Sequence, residues 1–125
     1  MTQATIRAWK ETIVIYELRN YWVEPALIEQ YLDWANNRAL PVIQGEFGGR
    51  LVGFWRVDGY DGTIEEDPPN VIWMLAWTDR AERDRVWAEI RASESWVRIR
   101  EGIPTFHRRP GAVRFLAGIP RSPMQ

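Results

Sequence analysis

Tyr16-Glu17-Leu18-Arg19-Asn20-Tyr21 and, further along, Leu51-Val52-Gly53-Phe54-Trp55-Arg56 are the stretches whose reading decides the fold. Each reads as a strand, but each carries charge or aromatic bulk where a plain hydrophobic strand would carry Val or Ile. β-Branched and aromatic residues extend the first from Thr12 to Val23. Strand alternation then sets Ile13, Ile15, Glu17, Arg19 and Tyr21 on one face, and Val14, Tyr16, Leu18, Asn20 and Trp22 on the other.

Working outward, Pro25 suits a first helical turn. Leu27, Ile28, Tyr31, Leu32, Trp34 and Ala35 recur at helical spacing, which predicts an amphipathic helix. Pro41 is expected to kink or interrupt it near Arg38 to Leu40, with a second short piece running to Phe47 and ending at Gly48-Gly49. The second strand spans Leu51 to Val57, and Asp58 to Asn70 reads as a long exposed connection. Val71 to Trp77 is nearly continuous in apolar character, so it reads as a central strand. Asp79 with Glu82 resembles a capping box. The helix behind it points Val86, Trp87 and Ile90 inward, and Arg83, Asp84, Arg85 and Glu89 mostly outward. Ser93 reads as the N-cap of a further short helix, and Ala112 to Ala117 as the last strand.

The order is β-α-β-β-α-β with one extra helix, the split βαβ pattern of an α+β, ferredoxin-like sheet with its helices on one face. The other face, rich in Trp and Ile, then needs a partner, and a homodimer is expected. Residues 12–117 form the domain, with 1–11 as an N-terminal extension and 118–125 as a C-terminal tail.

Composition narrows the function. A chain of 125 residues, 46% apolar and 26% charged, is an ordinary single globular domain. A net charge of −1, with Arg interspersed among Asp and Glu, argues against nucleic acid as a partner. The lack of Cys excludes disulfides, thiolate catalysis and Cys-type zinc sites. A single histidine cannot form a metal-binding His cluster within one chain. There is no Gly-rich phosphate loop, nucleophile elbow or dinucleotide fingerprint, so neither a metal nor a cofactor is expected. No apolar run reaches membrane-span length and the N-terminus lacks a signal-peptide core, so a cytoplasmic protein without a membrane span is expected. The eight Trp are the unusual feature, because an excess of Trp often marks interfaces or ligand walls.

Tyr16-Glu17-Leu18-Arg19, then a helix, then Gly49-Arg50-Leu51-Val52-Gly53-Phe54-Trp55 resemble the NIPSNAP family. Val71-Ile72-Trp73-Met74-Leu75-Ala76-Trp77, Ala81-Glu82-Arg83-Asp84 and Ser93-Glu94-Ser95-Trp96 follow in the matching order. The resemblance covers nearly the whole chain and implies a dimeric α+β barrel, in which two ferredoxin-like sheets face each other. It brings no established catalytic mechanism. Related barrel families include cofactor-independent monooxygenases, haem-degrading enzymes and isomerases, which is an analogy at the level of the fold alone. The chain departs from the family pattern in a longer, more acidic segment from Asp58 to Asn70 and in the prolines after Ala117.

Several residues could carry chemistry. Glu17 and Arg19 share a strand face and can pair. The preferred reading is an ion pair that fixes register or the dimer; the sharper one has Arg19 anchoring a substrate carboxylate with Glu17 as base. His107 sits in the basic segment Thr105-Phe106-His107-Arg108-Arg109-Pro110 and is the one side chain whose ordinary pKa lies near neutrality. It could meet an anion or act as a base, although a solvated surface His is the plainer reading. Tyr16, Trp55, Trp73 and Trp77 are expected to line one cleft between sheet and helices. Gly53 in mid-strand marks a close approach, by a helix in preference to a ligand. The acidic run Glu65-Glu66-Asp67 lacks calcium-loop spacing and reads as a solvated turn. The expected ligand-binding set is therefore Tyr16, Arg19, Trp55, Trp73, Trp77 and His107, with His107, Glu17 and Tyr16 as catalytic candidates. The resulting reading is binding of a small apolar or aromatic molecule in that cleft, with turnover left open. The alternatives are a cofactor-independent monooxygenase or isomerase, and a protein-interaction module.

Overall fold

In the computed structural model, residues 15–123 are described. The N-terminal extension and the beginning of the first strand at Thr12 lie outside them. Four strands, β1 (Ile15–Tyr21), β2 (Arg50–Arg56), β3 (Val71–Trp77) and β4 (Ala112–Leu116), form one antiparallel sheet in the order β2-β3-β1-β4. This is the ferredoxin-like order. The apolar run of β3 lies inside the sheet, as its composition requires, and the polar word of β1 lies beside it.

Cross-strand register decides which side chains meet. Ile15, Glu17, Arg19 and Tyr21 stand opposite Trp77, Leu75, Trp73 and Val71. That face turns toward the helices, where Leu75, Trp73, Trp77, Val86, Trp87 and Ile90 pack as one buried cluster. Tyr16 and Ala76 belong to the other face, packed with Val52 and Met74.

The first helical segment does not break at Pro41. A 3-10 turn (Pro25–Leu27) leads into α1 (Ile28–Trp34), which widens into π-helical turns over Ala35–Ala39 and Pro41–Glu46. Proline lacks an N–H and its ring collides with the carbonyl four residues back in an ordinary α-turn. The wider i→i−5 turn, seen where the Leu40 N–H bonds the Ala35 carbonyl, relieves that collision and keeps the chain helical. Gly48, at φ +66°, ends the segment in the left-handed conformation that glycine adopts freely.

α2 (Arg80–Ala92) starts as its capping signal predicts, with the Asp79 carboxylate accepting from the Glu82 N–H at 2.7 Å. Glu82 itself accepts from the Thr78 N–H at 3.0 Å, one residue earlier than in a reciprocal capping box, and pairs with Arg50. Ser93 both closes α2 and opens α3 (Glu94–Ile99), its hydroxyl accepting from the Trp96 N–H at 3.1 Å. Trp34 ties α1 to α3 through a 2.8 Å bond from its indole N–H to the Ile99 carbonyl.

Residues 58–70 contain no helix or strand and are mostly exposed. They are nevertheless held: the Trp22 indole N–H bonds the Asp67 carbonyl at 2.8 Å, and the Asn70 side chain bridges both backbone groups of Val23 at 2.8 Å.

β2 contains a bulge between Leu51 and Gly53. One extra residue reverses the facing of everything after it. Phe54 therefore pairs with Trp73 on the helix side, while Gly53 and Trp55 stand opposite Met74 and Ile72 on the other. The close approach at Gly53 is made by the Trp55 indole itself, whose ring would lie 2.1 Å from a Cβ there. No helix is involved, contrary to the sequence-based expectation.

Replacing Asp79 with Ala removes the side-chain cap of α2. We expect a loss of about 1 kcal/mol in urea unfolding with an unchanged m-value. A loss below a few tenths would show that Glu82 alone holds the helix start.

Candidate functional site

The helix-facing side of the sheet is built around one carboxylate. Glu17 is fully buried, and five donors converge on it. Its Oε1 accepts from the indole N–H of Trp77 at 2.8 Å and of Trp87 at 3.0 Å. Its Oε2 accepts from Arg19 and from the Arg83 Nη2 and Nε, at 2.8 and 3.1 Å. Burial alone would push the Glu17 carboxyl up; the guanidinium groups of Arg83 and Arg19 and the two indoles outweigh it and hold the pKa below the ordinary range. Glu17 is thus a fixed anion and a poor proton acceptor. Of the two sequence readings, the geometry matches the ion pair.

Arg19 extends from this cluster into a cavity of about 510 Å³ between sheet and helices. Its Nε donates to the Tyr21 hydroxyl at 2.8 Å, and its guanidinium lies 4.7 Å from the Trp87 ring centre and 5.5 Å from that of Trp73. Trp73, Phe54 and Tyr21 come from the sheet. Tyr31, Trp34, Ala35, Ala39, Leu40 and Ile43 come from α1 and the π-turns that follow it. Trp87 and Arg91 of α2, Trp96 of α3, Arg100, and the segment from Ile103 to His107 complete the wall. The rings interlock: Tyr31 meets Phe106 edge-on at 5.3 Å, and Trp87 meets Trp96 at 6.3 Å.

His107 stands at the exposed edge of this cavity, its backbone bridged to Val23. Its ring lies 4.7 Å from that of Tyr21 and 5.6 Å from that of Tyr31. Desolvation against these rings, and then the cations of Arg100 and Arg19, lower its pKa, so the imidazole is neutral near pH 7. The neighbouring Arg108 and Arg109 are not free to meet an anion. Both pair with Asp67, at 2.5 and 3.1 Å, and Arg108 above all holds that carboxyl below its ordinary pKa. The acidic run is thus anchored to the basic segment at Asp67.

Of the residues expected to line the cleft, Arg19, Trp73 and His107 come together in the cavity. Trp77 is buried on the same sheet face but is spent on Glu17 and does not line the cavity. Tyr16 and Trp55 belong to the opposite face, Tyr16 by plain alternation and Trp55 through the bulge in β2. Neither reaches the cavity. Arg83, expected to point outward, lies against Glu17 with its side chain 15% exposed. The signal was present, since Arg83, Trp87 and Ile90 follow one helical stripe, but its charge argued for the surface. Tyr21, Tyr31 and Arg100 are further cavity residues that the sequence did not mark out.

This architecture defines a ferredoxin-like α+β domain with a large aromatic cavity between its sheet and helices. The profile of the NIPSNAP family matches residues 16–107, and the chain belongs to that family. A NIPSNAP family protein of Agrobacterium tumefaciens has a similar fold, with a TM-score of 0.76 at 17% identity over 90% of this chain and 92% of that one. An uncharacterized NIPSNAP-like domain protein of Burkholderia xenovorans gives 0.73 at 20% identity, over 89% and 90%. An antibiotic biosynthesis monooxygenase is more distant, with a TM-score of 0.51 at 19% identity over 85% and 99%. No curated protein matches significantly. Among the described residues, no helix is long and apolar enough to cross a membrane.

Replacing Glu17 with Gln leaves Arg19 and Arg83 buried without their anion, and we expect a loss of about 3 kcal/mol or more at pH 7. Because the folded pKa of Glu17 is depressed, its stabilisation is complete above the unfolded value near ~4.3 and disappears as pH falls through the folded one. The wild-type protein should therefore lose stability more steeply below about pH 4 than E17Q. Parallel urea-unfolding curves of the two proteins across that range would refute this assignment.

Proposed function

We propose that this protein binds a small apolar or aromatic molecule in the cavity between sheet and helices. The observation that carries the reading is the cavity itself, about 510 Å³ and walled by eight aromatic residues. That volume lies in the range of small-molecule sites, whereas protein interiors normally close-pack. The rings are supplied by the sheet, by α1, α2 and α3, and by the segment that precedes β4.

Of the three catalytic candidates, His107 has the geometry most suited to acid–base work. It borders the cavity and is neutral near pH 7, whereas Glu17 is locked among five donors and Tyr16 belongs to the other sheet face. Binding is therefore the primary reading, with His107 as the residue through which any turnover would run.

The same reading includes a homodimer. The helices cover one sheet face; on the other, Trp55 and Leu116 are 48% and 39% exposed beside half-buried Leu18, Ile72 and Met74. An apolar sheet face of this kind calls for a partner, and a second copy offers the same complementary surface.

Two outcomes test these readings. Tryptophan fluorescence should be quenched saturably by 1-naphthol, and Ala39→Trp, which fills the cavity from the π-helical wall, should weaken that binding roughly tenfold or more. Unchanged quenching by a folded A39W would remove the cavity as the binding site. Sedimentation equilibrium should give twice the chain mass, and Met74→Arg should give a folded monomer. A wild-type monomer at micromolar concentration would end the dimer reading.

A further inference from the structure

We infer that the molecule this cavity receives is an amphipathic acid: a flat apolar body carrying one anionic group, which the arginines at the cavity's floor and rim accept. The inference rests on the binding role proposed above and adds the chemical class of the ligand.

Charge is the first argument. The cavity is lined by Arg19, Arg91, Arg100 and His107, and by no Asp or Glu. Of these, Arg91 and Arg100 have no carboxylate partner among the described residues, and such cations beside low-dielectric aromatic walls focus a positive potential into the space they border. Glu17 offsets the charge of Arg19, and Arg83 is shared between Glu17 and Asp84, so the positive field comes chiefly from Arg91 and Arg100.

The availability of donors is the second. Arg19 uses Nε on Tyr21 and Nη1 on Glu17, and Nη2 has no acceptor among the described residues. Arg50, Arg56, Arg83, Arg98, Arg108 and Arg109 all have carboxylate partners. Arg91, in the last turn of α2, and Arg100, just beyond α3, have none among the described residues. The guanidinium of Arg91 lies 5.3 Å from the Trp87 ring centre, and both arginines border a shallow depression outside the cavity, together with Trp96, Val97 and Glu101. Two exposed, unpaired guanidinium groups thus border one stretch of the rim. The planar Arg fork is the side chain best matched to a carboxylate.

His107 reports on the same field: desolvation lowers its pKa most, the cations of Arg100 and Arg19 lower it further, and a bound anion would oppose that second effect. Tyr21 and Tyr31 are the other titratable groups against its ring.

The test compares 1-naphthoate with its neutral isostere 1-naphthamide, by calorimetry at low ionic strength and pH 7.5. The acid should bind roughly ten- to a hundredfold more tightly, the range for loss of a charge-assisted hydrogen bond. Arg91→Ala with Arg100→Ala should bring the affinity for naphthoate down to roughly that for naphthamide; both side chains are exposed, so the fold is retained. Naphthoate should also raise the pKa of His107, which NMR follows without ambiguity in a chain with one histidine. Equal affinity for the two probes would overturn the inference and leave the apolar-cavity reading intact. Binding of neither would overturn both. A preference that survives the double substitution would overturn the assignment to the rim arginines.

Discussion

A carboxylate that is completely removed from water dictates much of this structure. An isolated charge in such a place would cost more than the fold can supply, so Glu17 can remain ionised only while its donors stay in position. Those donors come from three elements: Arg19 from β1, Trp77 from β3, and Arg83 with Trp87 from α2. The anion therefore specifies how α2 docks on the sheet as well as contributing to stability. A shift of α2 by a single residue would separate Arg83 and Trp87 from Glu17 together.

The cavity follows from the same arrangement. Because Glu17 binds one edge of the Arg19 guanidinium and Tyr21 another, Arg19 is held near Trp73 and Trp87 as a floor. Opposite it, the π-helical turns around Pro41 carry Ala35, Ala39, Leu40 and Ile43 along the wall. Small side chains at Ala35 and Ala39, facing rings that meet mainly edge-on or tilted, leave space that close packing would otherwise remove. The space is thus an outcome of geometry that several elements impose jointly. The same elements give it its charge, with Arg19 at its floor beside Glu17 and Arg91 and Arg100 at its rim.

The two sheet faces have different tasks. One carries the ion cluster and the cavity; the other carries Tyr16, Met74, Trp55 and Leu116, over which no helix packs among the described residues. Trp55 shows how little separates the two. Had β2 run without its bulge, Trp55 would have faced the cavity and Phe54 the open side.

Much of the fold is legible in the sequence because its signals are local. Alternation marks β1 and β3, Asp79 and Ser93 cap their helices through their own side chains, and Gly48 ends a helix by its backbone freedom. The pairing of Glu17 with Arg19 is also local, two residues apart on one strand. What could not be read depends on partners distant in sequence: the bulge that turns Trp55 away, the inward Arg83, and the bonds from Arg108 and Arg109 to Asp67. The π-turns are an intermediate case, since Pro41 announces a disturbance but only packing decides whether the helix breaks or widens. The sequence by itself thus determined the order of elements and the polar word at the heart of the sheet, because period and capping act over a few residues. The tertiary structure alone decided which rings enclose the cavity and which charges remain unpaired around it, because long-range register and docking set those neighbours.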